Sequence, residues 1–478
     1  MSILMDAQRG LRSFGKDRIG PMLAVRRPCR VDPPIGTWGL STSSGGSLVC
    51  DGVDLVRVVE AHGSPVQVVS GTSLARNLSA AIAPFEAGCG CDIFYSYKTN
   101  PVPGVLRIMH ERGVGAEVIS PFELWLALEL GVPGERLIYN GPAKSTESIR
   151  RAIEVDTLLI NANSSSEIGR IRSLAEQTGK VANLGIRISL PGMWGGQFGI
   201  RERETAIDAI RSSLGSSHLA LSGLHFHRGG TMRTHVEFSS YIETVLAFCD
   251  LVRSRTGWTP MVLDLGGSLA CPTVATITGR EYRFNRAFGT DLLPPDPASC
   301  LRLGEASALA YSLVDDHFSS AGLPTPLTVL EPGRALSADT QMLLTSVIDV
   351  KDDAGLDHVI LDAGVNIAEP VTSEYHHLLD VSRPYEVAEH HYRLTGPICT
   401  PADVLYNDWR LSELEPGRIL AIMDTGAYCV PFSTAFSFPR PPIVMLERGE
   451  IRVLRRSESF VDLVALDSPL ALDEEAER

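Results

Sequence analysis

The chain lacks any long hydrophobic run: no segment approaches 18 consecutive apolar residues, and no apolar stretch near the start precedes a small-residue cleavage site. Neither a membrane-spanning helix nor a secretion signal is expected, so the expected compartment is the cytoplasm. Basic excess is missing too. A formal charge of −14 offers no positive face to displace the counterions of a nucleic acid, which leaves a small molecule as the more natural ligand. Cysteine is present without regular spacing, nine in 478 residues, and only Cys89-Gly-Cys91 is a close pair. An odd, scattered set argues for free thiols in a reducing compartment. The pair fits neither a Cys-x-x-Cys redox motif nor, without a second pair, a zinc site. Internal repeats are absent.

What is there can bury a large core: 44% hydrophobic content over this length predicts two domains. Residues 1–45 read as a flexible basic extension, with Arg9, Arg12, Lys16, Arg18, Arg26, Arg27 and Arg30 set among glycines and prolines. Asp6 and Asp17 weigh against a transit peptide. Beyond it, short β-branched runs alternate with amphipathic stretches at residues 92–98, 115–119, 137–140, 157–161, 184–189, 221–227, 261–265 and 327–331. Eight strands with helical crossovers predict a (β/α)8 barrel over residues 68–338, in which polar residues at strand ends converge on one mouth. After residue 340 the texture changes to short alternating runs. These predict an antiparallel β-domain from residues 339–465 together with 46–67, where residues 47–57 would add a strand, followed by a solvated acidic tail over 466–478.

Lys98, closing the run Asp92-Ile-Phe-Tyr-Ser-Tyr-Lys-Thr-Asn100, is poorly explained by packing. A surface lysine that starts the next helix is the plain reading. The chemical reading is an amine placed for a Schiff base, for which the aldehyde of pyridoxal phosphate (PLP) is the commonest partner. Other predicted strand ends also carry chemistry: Glu117, Asn161, Arg187, His225 with His227, Gly266-Gly267, and Glu331 followed by Arg334.

Six segments in order, Tyr97-Lys-Thr-Asn100, Gly223-Leu-His-Phe-His-Arg-Gly-Gly230, Leu263-Asp-Leu-Gly-Gly-Ser268, Glu331-Pro-Gly-Arg334, Gly396-Pro-Ile-Cys-Thr-Pro-Ala-Asp403 and Gly426-Ala-Tyr428, give the chain a resemblance. From about residue 47 to 465 it resembles the fold-type III PLP-dependent decarboxylases of ornithine, diaminopimelate and arginine, and among them the diaminopimelate type. The resemblance implies PLP carried on Lys98, Glu331 at the pyridine nitrogen and His227 on the ring face. It implies a phosphate site from Gly230, Gly266, Gly267, Ser268, Gly333, Arg334 and Tyr428. It also implies a homodimer with shared active sites, in which Cys399 protonates the α-carbon. Glu117, Glu123 and Arg187 match positions around the mouth, and Thr400 and Asp403 would shape the substrate end. Surface helix-cap roles for the two acids compete with this. For the His225-x-His227 pair no completing cluster is visible, so no metal is expected.

Departures fall at specificity positions. Gly230 stands where the family has serine and Ser268 where it has glycine. Thr400 replaces an acid, Gln197 a lysine or arginine, and Ser437 an asparagine. A missing carboxylate weakens the case for a simple diamine-forming reaction. The expectation is therefore decarboxylation of an amino acid whose identity is altered, either free or as an aminoacyl group on a carrier protein. A racemase or aldolase on the same barrel is the first alternative, but Glu331, standing where alanine racemases place an arginine, disfavours it. An inactive regulator is the second, and it would be expected to lose Lys98 or Cys399.

Overall fold

The computed structural model describes residue 22, residues 30–352 and residues 357–467. The basic residues from Arg9 to Arg27 and the acidic tail from residue 468 lie outside the described residues.

Eight parallel strands close into a barrel: Cys91–Ser96, Gly115–Val118, Leu137–Tyr139, Leu159–Ala162, Ala182–Ile188, Leu219–Phe226, Val262–Asp264 and Leu327–Leu330. The last pairs back onto the first, with Val329 opposite Asp92. Strands covered by helices outside and packed side chains inside are buried on both faces, which is why they read as continuous apolar runs rather than alternating ones. Cys91–Ser96 is buried along its whole length. The helices begin at side-chain caps. Ser120 accepts from the Glu123 amide at the start of Pro121–Glu129, and Thr234 forms a capping box with Glu237 at the start of His235–Thr256.

The second sheet is mixed and mostly antiparallel. Its spine, Gln341–Asp352, pairs antiparallel with Val66–Ser70, Asp357–Leu361 and Ile419–Ile422, while Ile443–Glu447 runs parallel to Val66–Ser70. Two expectations need correction. The N-terminal strand entering this sheet is Val66–Ser70, buried throughout, and not residues 47–57. Those residues make Leu48–Cys50 and Val53–Asp54, which turn sharply through Asp51 (φ 49°) and Gly52 (φ 83°) and pair into a separate small sheet with Leu40–Thr42. Nor is the extension loose as far as residue 45. Arg30 lies 4.1 Å over the Trp409 ring and donates to Asp32, and the Trp38 indole donates to the buried Asp424 at 2.8 Å.

A two-residue ribbon fastens the β-domain to the barrel mouth: Ala275–Thr276, beyond the seventh barrel strand, pairs antiparallel with Glu374–Tyr375. No helix among the described residues is long and apolar enough to cross a membrane.

Candidate active site

The C-terminal ends of the barrel strands open into a cavity of about 500 Å3, within the size range of cofactor and small-molecule sites. Lys98 reaches it from the 3-10 turn Tyr97–Thr99 that ends the first strand. No hydrogen bond or ion pair engages its ammonium among the described residues. Burial pushes that ammonium down, but Glu117, Tyr428 and Glu331 outweigh it, and the net shift is upward.

Glu117 and Glu331 form the acidic floor. Asn140 spans them, donating to Glu117 Oε1 at 2.9 Å and to Glu331 Oε1 at 2.6 Å, and its carbonyl accepts from Asn161 at 2.8 Å. Ser96 donates to the other oxygen of Glu117 at 2.5 Å. Burial pushes both carboxyls up. Asp264, beside them, is raised by burial and then by Glu331. Arg187, buried, lies 4.6 Å over the Phe198 ring, facing Glu331, Glu117 and Asp264. His225 and His227 are pushed well below their usual range by burial, so both rings are neutral at neutral pH. His225 Nε2 stands 3.5 Å from Glu331. His227 packs under Trp194 at 5.2 Å and meets the Ser268 hydroxyl at 3.2 Å.

The turns after the seventh and eighth strands leave no room for a side chain at three glycines. A Cβ on Gly266 would lie 2.5 Å from Phe226 O, one on Gly267 2.5 Å from Glu331 O, and one on Gly333 2.0 Å from Thr99 Oγ1. Backbone amides can therefore approach a ligand closely there. Ser268 holds φ 69°, a left-handed backbone suited to glycine, and its hydroxyl accepts from the Gly229 amide at 3.0 Å. Gly230 has φ 70° with open space around it. Arg334 is already committed: its guanidinium makes a bidentate pair with Glu374 at 2.5 and 2.7 Å and lies 5.2 Å over the Tyr428 ring.

The cavity wall thus brings together Lys98, Glu117, Arg187, His227, Gly230, Gly267, Ser268, Glu331, Gly333, Arg334 and Tyr428. Glu123 stays outside it, where its carboxylate accepts from the Ile119 amide at 2.8 Å and locks the helix start. Cys399 is exposed, and neither it nor Thr400, Asp403, Gln197 or Ser437 lines the cavity of its own chain. The Asp403 carboxylate instead accepts from the amides of Val365 and Ile398 at 2.8 and 2.9 Å. Asn140, Trp194, Phe198, Glu369 and Glu374 line the wall without having been singled out from sequence. For Asn140 the signal was present, a polar residue closing a predicted strand; for Glu374 there was none.

The family model for the pyridoxal binding domain of pyridoxal-dependent decarboxylases matches residues 74–338. The chain belongs to the pyridoxal-dependent decarboxylase family. It is 28% identical over 434 residues to the diaminopimelate decarboxylase of Aquifex aeolicus, covering 87% of this chain and 94% of that one. With the enzyme of that name from Methanothermobacter thermautotrophicus it shares 28% over 448 residues, covering 89% and 96%. Among solved structures, diaminopimelate decarboxylase from M. jannaschii superposes with a TM-score of 0.79 at 26% identity, covering 92% of this chain and 100% of that one. The same enzyme bound to L-lysine gives 0.77 at 26%, covering 90% and 98%. This decarboxylase is therefore a carboxy-lyase with PLP as its cofactor, and its site fits that group: a lysine amine without a partner among the described residues, glycines whose amides a ligand can approach closely, and a carboxylate on the cavity floor.

Proposed function

We propose that this decarboxylase removes CO2 from a free α-amino acid whose side chain carries a second polar group, the chemical type of diaminopimelate and lysine. The observation carrying this is Lys98, whose amine enters a cavity floored by Glu331 and walled by His227. When bound, PLP supplies an electron sink for the pair left behind by departing CO2. Lys98 would hold the cofactor covalently, and Glu331, kept in place by Asn140, would keep the ring nitrogen protonated. His227, neutral, would support the ring face. Gly266, Gly267, Ser268, Gly230 and Gly333, with the Arg334 amide and Tyr428, would surround the phosphate, while the Arg334 side chain stays with Glu374.

A proton must take the place of CO2 on the α-carbon. We assign its delivery to Cys399 of the partner subunit in a homodimer, a reading supported by the exposure of Cys399 away from its own cavity. Thr400 would border the substrate in the same way, on a loop whose shape Asp403 fixes. A carrier-bound substrate finds no support in the relatives named above.

The test is CO2 release from a panel of free amino acids, both enantiomers of lysine, ornithine and arginine with meso-diaminopimelate among them. Lys98→Ala should lose both CO2 release and the visible absorbance of bound cofactor. A cofactor-loaded protein that releases no CO2 from any member of the panel would overturn the assignment.

A further inference from the structure

Resting on that reading, we infer that Glu369 and the Arg334–Glu374 pair set the substrate's far end, admitting a side chain that ends in a cation and rejecting one that ends in a carboxylate. That the cavity receives a ligand has independent support: His225 lines it at 1% exposure with neither ring nitrogen hydrogen-bonded.

Three cations line the cavity, Lys98, Arg187 and Arg334. Lys98 is the cofactor's amine. Arg187 is buried over Phe198 and turned toward Glu331, Glu117 and Asp264. Arg334, on the β-domain side, has its planar fork filled by Glu374, and both side chains are only 16% exposed. A substrate carboxylate seeking Arg334 would have to displace a bidentate partner and leave Glu374, mostly buried, with only the His376 ring 3.5 Å away and the incoming negative charge beside it. The pair is also anchored. Glu374 sits in the ribbon with Ala275–Thr276, and Ser373 O accepts from the Ile277 amide at 2.9 Å.

Glu369 lies on the same wall, exposed at the rim, with no hydrogen bond or ion pair among the described residues. Lys98 belongs to the cofactor and Arg187 lies buried over Phe198, so at the exposed rim the uncommitted charge is Glu369 and its sign is negative. A terminal ammonium or guanidinium would be attracted there; the second carboxylate of diaminopimelate would meet repulsion at the rim, where the cation on the same side, Arg334, is already paired with Glu374. Selectivity is thus carried as much by the repulsive element as by the attractive one.

The experiment compares kcat/KM of the PLP-loaded enzyme for lysine, ornithine and arginine, in both enantiomers, with that for meso-diaminopimelate. The best cation-ended substrate should exceed diaminopimelate by about 10-fold or more. Glu369→Arg should shift that ratio at least about 10-fold toward diaminopimelate, and Glu374→Gln, which frees Arg334, should shift it the same way. Native preference for diaminopimelate, or a ratio unmoved in both variants, overturns the inference while leaving the decarboxylase intact. Absence of CO2 from every substrate would instead overturn the reading on which it rests.

Discussion

Asn140 shows how one amide can organise two charges. Its NH2 donates to Glu117 and Glu331, residues 23 and 191 positions away in the chain. Asn140→Leu removes both donors and leaves buried carboxylate oxygens unpaired, a loss of about 1.5–3 kcal/mol for bonds to charged groups. We expect kcat to fall roughly 10- to 100-fold. The acidic limb of the kcat/KM profile should also move to higher pH, because the Asn140 bond is one of the forces holding Glu331 down against burial. An unmoved limb would mean that Asn140 only packs. Glu331 and Lys98 could be read from their motifs, but the partner that joins Glu331 to Glu117 could not: the pairing exists only once the first, second, third and eighth strands lie side by side. Arg334 shows the limit of motif reading more sharply. Its motif marks it for the phosphate, yet its side chain is taken by Glu374, a residue with no local pattern to announce it.

At the level of elements, the barrel strands were legible because two-sided burial writes itself as uninterrupted apolar runs bounded by turn residues. Val66–Ser70 was not, since a strand donated across domains pairs with a segment far downstream, Gln341 opposite Val69 and Leu344 opposite Val66, and nothing local marks its destination. The helix Pro121–Glu129 carries an acid whose two readings, cavity or cap, the structure separates. Glu123 caps, and burial with help from Glu117 pushes its carboxyl up to about 7. A carboxyl raised in the folded state binds more protons there than in the unfolded chain. Stability therefore falls as pH rises from the ordinary carboxyl range toward 7, by about 3 kcal/mol for the full shift. Glu123→Gln keeps an acceptor for the Ile119 amide and removes the charge. The variant should match the native chain at pH 4 and exceed it by about 1–3 kcal/mol at pH 8 in denaturant unfolding. A difference that does not change with pH would assign the raised carboxyl elsewhere.

On the scale of the whole molecule, each chain holds Lys98 inside its cavity and presents Cys399 outward, on a loop that Asp403 ties to Ile398 and Val365. A thiol fixed on the outside cannot protonate a carbon inside the same barrel, so the proposed chemistry needs two chains arranged isologously, each completing the other's site. This has a quantitative consequence. Lys98→Ala chains alone should be inactive, and Cys399→Ala chains alone should form little amine and divert turnover to transamination side products. Mixed in equal amounts and allowed to exchange subunits, they form hybrid dimers with one cavity that has lost both groups and one that has kept both. Random pairing makes half of the dimers hybrid, each with one competent site of two, so amine formation should recover to about a quarter of the native rate. Were each site built within one chain, every pairing would remain as inactive as its parents, and the mixture would show no recovery at any ratio.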